Sequence, residues 1–125
     1  MGYDYTYDGQ VNIDKEDIPK AIRAITDEDP EGPDFRSELS SLFMDVGYLS
    51  DAPDFRTWFV GDTPVVTFAM YGATRSPEKL EQFLANIAPH VWGVWIECKG
   101  EDGYLWAYSI ENGEVKVLSG QVIYS

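Results

Sequence analysis

The densest group of potentially reactive side chains in this sequence is acidic: Asp27, Glu28, Asp29, Glu31, Asp34 and Glu38 fall within one twelve-residue stretch, TDEDPEGPDFRSE in context. Asp27, Asp29, Glu31, Gly32 and Glu38 stand at positions one, three, five, six and twelve of an EF-hand calcium loop. That spacing suits a cation that wants six to eight oxygen ligands, a glycine at the bend and a closing bidentate glutamate. The stretch departs from the pattern in three ways. Position five is the longer Glu31, Pro30 and Pro33 stiffen the backbone, and Asp34 stands where an apolar residue is usual. Ser37 and Glu38 also have a simpler use in starting a helix. The expectation is a solvated acidic connector with no bound metal, calcium at Asp27, Asp29, Glu31 and Glu38 being the minor alternative.

Other chemistry is sparse. His90 is the only histidine, which excludes paired-histidine metal sites and leaves one imidazole as a possible base. Cys98 is the only thiol, and alternation puts it on an apolar strand face with Val94 and Ile96, where a buried structural cysteine is expected. Ser119-Gly120 is not part of a Gly-x-Ser-x-Gly elbow, and neither a GxGxxG nor a Walker loop occurs, so no cofactor is expected. Glu97, Glu101 and Asp102 lie among tryptophans near a turn, an arrangement that would suit a small ligand or a sugar. Sheet aromatics beside a solvated turn explain the same residues more simply.

The charge balance is the compositional outlier. The 125 residues include 22 Asp and Glu against 9 Lys and Arg, a formal net charge of −13. Residues 1–57 hold fourteen acids and five bases, so 5 − 14 = −9, and residues 58–125 hold eight and four, so 4 − 8 = −4. Such a field repels nucleic acid and anionic membranes and steers the protein toward basic surfaces. With 44% hydrophobic and 14% aromatic residues, a chain of this length can form one domain, residues 1–125, around its own core. A single cysteine, an N-terminus without a signal-peptide pattern and no long apolar run lead to the expectation of a reduced, cytoplasmic location.

The elements that must hold these residues follow from periodicity. Tyr3, Tyr5 and Tyr7 alternate with Asp4, Thr6 and Asp8 as in a half-buried strand, with a bend expected at Gly9 before Val11 and Ile13. Ile18, Ala21, Ile22 and Ile25 then share a helix face, with Asp14 as the expected N-cap and Pro19 near the start. A second helix is predicted from Ser37, as its cap, to Val46, with Leu39, Leu42, Phe43 and Val46 as its stripe and Gly47 as its stop. Residues 55–60 and 65–71 read as strands joined by GDTP. Ser76 and Pro77 open a third helix whose stripe is Leu80, Phe83, Leu84 and Ile87. Trp95 and Glu97 face away from Val94, Ile96 and Cys98, while Tyr104, Trp106, Tyr108 and Ile110 alternate in the next strand. Asn112-Gly113 predicts a type I′ hairpin, and Gly120 should break the last segment. The predicted fold class is α+β, a mostly antiparallel sheet with two to three helices packed on one face, organised around Val91 to Tyr124.

The segment FLANIAPHVWGVWIECKGEDGYLWAYSIENGEV resembles small acidic proteins of the phage and prophage type. It carries their "IAP-x-V" helix end at Ile87–Val91, their "IE-x-x-GEDG" turn at Ile96–Gly103, Trp106 in the aromatic strand and the Asn112-Gly113 hairpin. The opening MGYDYTYDGQ followed by an isoleucine-rich helix is similar too. The resemblance implies a fold and a phage-related setting, without a catalytic site. Combined with the charge, it leads to the expectation of a non-catalytic, phage-encoded inhibitor of the anti-CRISPR or DNA-mimic kind. Its acids would occupy a basic, nucleic-acid-binding surface of a host defence protein, with no direct nucleic-acid or membrane contact. The expected partner-binding residues are Asp27, Glu28, Asp29, Glu31, Asp34, Glu38, Asp45, Asp51 and Asp54. The alternative is a small ligand-binding module or enzyme that uses the aromatic C-terminal sheet and the Glu97–Asp102 turn.

Overall fold

The computed structural model describes residues 5–100 and 103–120. Six strands form one antiparallel sheet: β1 (Tyr5–Asp14), β2 (Asp54–Val60), β3 (Thr63–Thr74), β4 (Gly93–Lys99), β5 (Leu105–Glu111) and β6 (Glu114–Gly120). Their spatial order is β2-β3-β1-β4-β5-β6. The helices α1 (Ile18–Thr26), α2 (Phe35–Asp45) and α3 (Pro77–Ile87) pack on one face, as the α+β reading predicts.

Strand alternation explains which face they cover. Val11 lies opposite Phe68 on one side and Val94 on the other, and all three are buried against the helices. One row along, Gly9 stands between Met70 and Ile96, and Ile96 in turn faces Tyr108. The helix stripes close over these rows. Ile18, Ala21 and Ile22 of α1 and Leu80, Phe83, Leu84 and Ile87 of α3 are buried as their spacing predicts. The Phe43 ring of α2 sits 4.5 Å from Phe83 and 5.7 Å from Phe68, tying two helices to the sheet.

Several local expectations are corrected. β1 runs through Asp14 into a short 3-10 turn, Lys15–Asp17, so Asp14 is not the cap of α1. Pro19 sits at the very start of the helix, where its missing N–H costs nothing. Asp14 instead accepts a hydrogen bond from Trp92 Nε1 at 3.1 Å. The second helix starts two residues before Ser37, because the Asp34 carboxylate takes the Arg36 N–H at 3.1 Å and becomes the cap. Ser37 lies within the first turn and donates its hydroxyl to Asp34. Val46 is exposed rather than buried, the inner positions being Leu39, Ser40 and Phe43. β3 extends to Thr74, three residues beyond its predicted end. Asn112 and Gly113 do have positive φ, 54° and 76°, as a type I′ turn requires.

The organising segment also shifts. Val91 to Tyr124 was expected to carry the sheet, yet its strands β4 to β6 form one flank, and β1 is a central strand bonded to both β3 and β4. Gly9 does not bend β1. A β-carbon there would lie 2.5 Å from the Ile96 Cα, so only glycine allows β4 this close. Gly9→Ala is expected to lower stability by about 2 kcal/mol or more, read as an earlier midpoint in chemical denaturation; an unchanged midpoint would contradict the close approach.

Candidate functional site

The predicted acidic residues separate into groups with different duties. Asp27 is the left-handed C-cap of α1, with φ of 61°. Asp29 pairs with Arg23, and Glu38 accepts the Gly32 N–H at 3.1 Å. Asp34 binds Arg36, whose guanidinium also reaches Thr57 and lies 5.1 Å from the Phe55 ring centre. That contact holds the Asp34 carboxyl below the usual carboxylate range. Its capping is therefore in place above the ordinary Asp value and is lost as the pH falls through the lowered one. Glu28 and Glu31 are exposed on the same loop. The stretch connects and caps helices. Among the described residues, no group of three or more His, Cys, Asp or Glu side chains is arranged to hold a metal ion. Asp45 lies elsewhere, in a cleft of about 650 Å³ beside Met44 and Tyr48.

Asp51 and Asp54 belong to the face of the sheet that the helices leave open. Its side chains come from alternate residues, and the register arranges them in rows. One row runs Asp54, Ala69, Gln10, Trp95, Ser109; the next runs Tyr71, Asp8, Glu97, Ala107. Together with the Asp51 loop, the members of these rows on β1 to β4 line a cleft of about 860 Å³. Asp8, Asp51, Asp54 and Glu97 all contribute carboxylates, and among the described residues lining it there is no lysine or arginine. Arg56 and Lys99 stand one row beyond its two ends, and Lys116 follows Ser109 in the Trp95 row.

Asp8 and Glu97 face each other directly across β1 and β4, a like-charge pairing that costs stability in an isolated sheet. Two aromatic rings flank them. Tyr71, opposite Asp8, is 79% exposed, and Trp95, whose Nε1 donates to Glu97 Oε2 at 3.1 Å, is 47% exposed. The other end of this face is closed. Trp58 covers Thr67 and donates to its Oγ1 at 2.7 Å, Thr67 donates to Asn12 Oδ1 at 2.6 Å, and Trp92 packs edge-on against Trp58. The open face thus has a sealed polar end and an acidic, aromatic end.

A second cleft of about 560 Å³ adjoins the first and shares Asp8, Tyr71 and Glu97 with it. Tyr7, Ser50, Gly72 and the basic Lys99 line this part. Tyr7 lies opposite Gly72, and a β-carbon at Gly72 would come within 2.8 Å of the Tyr7 hydroxyl. That hydroxyl is buried and makes no hydrogen bond of good geometry. Burial raises its pKa, and the Ser50 hydroxyl together with the Asp51 and Ser50 backbone offsets part of the rise.

Of the Glu97–Asp102 turn, Glu97 reaches the cleft, while Glu101 and Asp102 lie outside the described residues. The turn is closed by Gly103 N–H to the Gly100 carbonyl at 3.0 Å. Cys98 points into the core, as its alternation predicts, and burial pushes its thiol up to about 12, so it is neutral at physiological pH. Asp8, Tyr71 and Trp95 were not among the predicted site residues. Their alternation away from buried neighbours was visible, but their meeting required the strand order.

Two outcomes are expected from these environments. Millimolar calcium should leave the melting temperature unchanged, because Asp29 and Glu38 are already engaged; a rise would show binding to the folded state. Stability should fall as the pH rises above about 8.5, the ordinary thiol value, because Cys98 ionises in the unfolded chain before it does in the fold. Cys98→Val should flatten that decline in pH-dependent denaturation, and an identical slope would refute the assignment. The chain matches no protein-family model, no curated protein and no solved structure.

Proposed function

We propose that this is a non-catalytic acidic interaction protein that docks on a basic, nucleic-acid-binding surface of another protein. The setting suggested by its sequence resemblance is a phage-encoded inhibitor of a host defence nucleoprotein. The observation that carries the reading is the cleft on the open sheet face, where four carboxylates converge without a basic side chain among the described lining residues. Carboxylates held on a rigid sheet can stand in for phosphates and accept charge-assisted hydrogen bonds from arginine and lysine. No described helix packs over this face, and a net charge of −13 favours encounter with cationic surfaces.

The contact surface of this proposal differs from the one read in the sequence. Asp51 and Asp54 remain in it and are joined by Asp8 and Glu97. Asp29 and Asp34 are already paired with Arg23 and Arg36, which makes them poorer docking groups. A small-ligand reading of the same cleft is supported by the Trp95–Glu97 hydrogen bond, which sets an aromatic face beside a carboxylate.

Salt separates the two readings. A complex with a basic nucleic-acid-binding protein should weaken about tenfold or more between about 50 mM and about 200 mM salt, and DNA should compete for the partner. Asp8→Asn with Glu97→Gln should weaken it further, whereas Asp27→Asn with Glu28→Gln should change it little. Binding that is indifferent to salt and to the Asp8 and Glu97 changes would sink the proposal.

A further inference from the structure

We infer that the open-face cleft takes an extended, arginine-bearing segment of the basic partner, with guanidinium groups seated where a carboxylate and an exposed aromatic ring adjoin. This rests on the interaction reading above and specifies its ligand. Two such couples exist. Tyr71 and Asp8 are cross-strand neighbours, and Trp95 and Glu97 are joined by the 3.1 Å hydrogen bond from the indole. A planar guanidinium stacks on a ring while donating in a fork to a carboxylate; a lysine ammonium supplies only a point charge. Carboxylates alone would serve either cation equally, so the exposed rings are what favour arginine.

The spacing of the couples suits an extended chain. Tyr71 and Trp95 are separated by two strand intervals, about 10 Å, and by two residues along β1, about 7 Å, which gives about 12 Å between their backbones. An extended peptide covers that distance in roughly four residues, and positions four apart point to the same side. The sheet face, over which no described helix packs, admits such a strand-like segment, and Asp51 and Asp54 remain for flanking cations.

The test uses the full chain and two short synthetic peptides, alike except that one carries two arginines roughly four positions apart and the other two lysines. Titration calorimetry should give several-fold tighter binding of the arginine peptide. Tyr71→Ala and Trp95→Ala should each weaken it by about tenfold. Both side chains are exposed, and unchanged melting curves would establish that the variants fold. Equal binding of both peptides, unaffected by Tyr71→Ala and Trp95→Ala, would overturn the arginine assignment and leave the acidic docking reading standing. If neither peptide binds while a basic nucleic-acid-binding protein does, the extended-segment inference alone fails. If that protein also fails to bind at low salt, both fall.

Discussion

The pairing of β1 with β3 and β4 at once is the constraint on which the rest of the structure depends. Ten consecutive residues of β1 pair with β3, and seven of them also pair with β4. Over those seven residues the backbone is paired on both sides, and each side chain is committed to one of two faces. Gly9 permits the closest part of this contact, where a β-carbon would collide with the β4 backbone. A register slip of one residue would turn Tyr7, Val11 and Ile13 toward solvent and put Asp8 and Gln10 under the helices. The buried side therefore enforces the arrangement of the exposed side.

That coupling is why a group of carboxylates can persist on the open face. Asp8 and Glu97 confront each other because Tyr7 and Cys98, their neighbours in sequence, are buried as a cross-strand pair. The core stabilisation of the second pair holds the first in place despite its repulsion. The tryptophans divide that face further. Trp58 and Trp92 seal one end over the Thr67–Asn12 hydrogen bond, and Trp95 lies open beside the acids. Three of the four tryptophans thus act on the face opposite the helices. The fourth, Trp106, packs against the core with Tyr5 and Tyr108 at its edges.

The loop between α1 and α2 illustrates how charge can be dense without forming a site. Its acids cap helix ends, hold Arg23 and Arg36 and receive a backbone N–H, all short-range duties. Arg36 extends the effect by reaching Thr57 and the Phe55 ring, which ties α2 to the edge strand β2. No described helix is long and apolar enough to cross a membrane.

Much of the local structure was legible in the sequence because short-range physics decides it. The stripes of α1 and α3, the inward Val94, Ile96 and Cys98, the outward Trp95 and Glu97, and the Asn112-Gly113 turn follow from periods of 3.6 and 2 and from backbone sterics. Helix starts were misread where two plausible caps competed, since Asp34 and Ser37 lie within one turn and only geometry chose the charged one. The cleft belongs to a different level. Asp8, Asp54, Tyr71 and Glu97 come from four strands, and their meeting depends on β1 lying between β3 and β4, with β2 beyond β3. Alternation shows which way a side chain points, but strand order determines its neighbours. That order is set by long-range packing of the whole core, which no window of sequence contains.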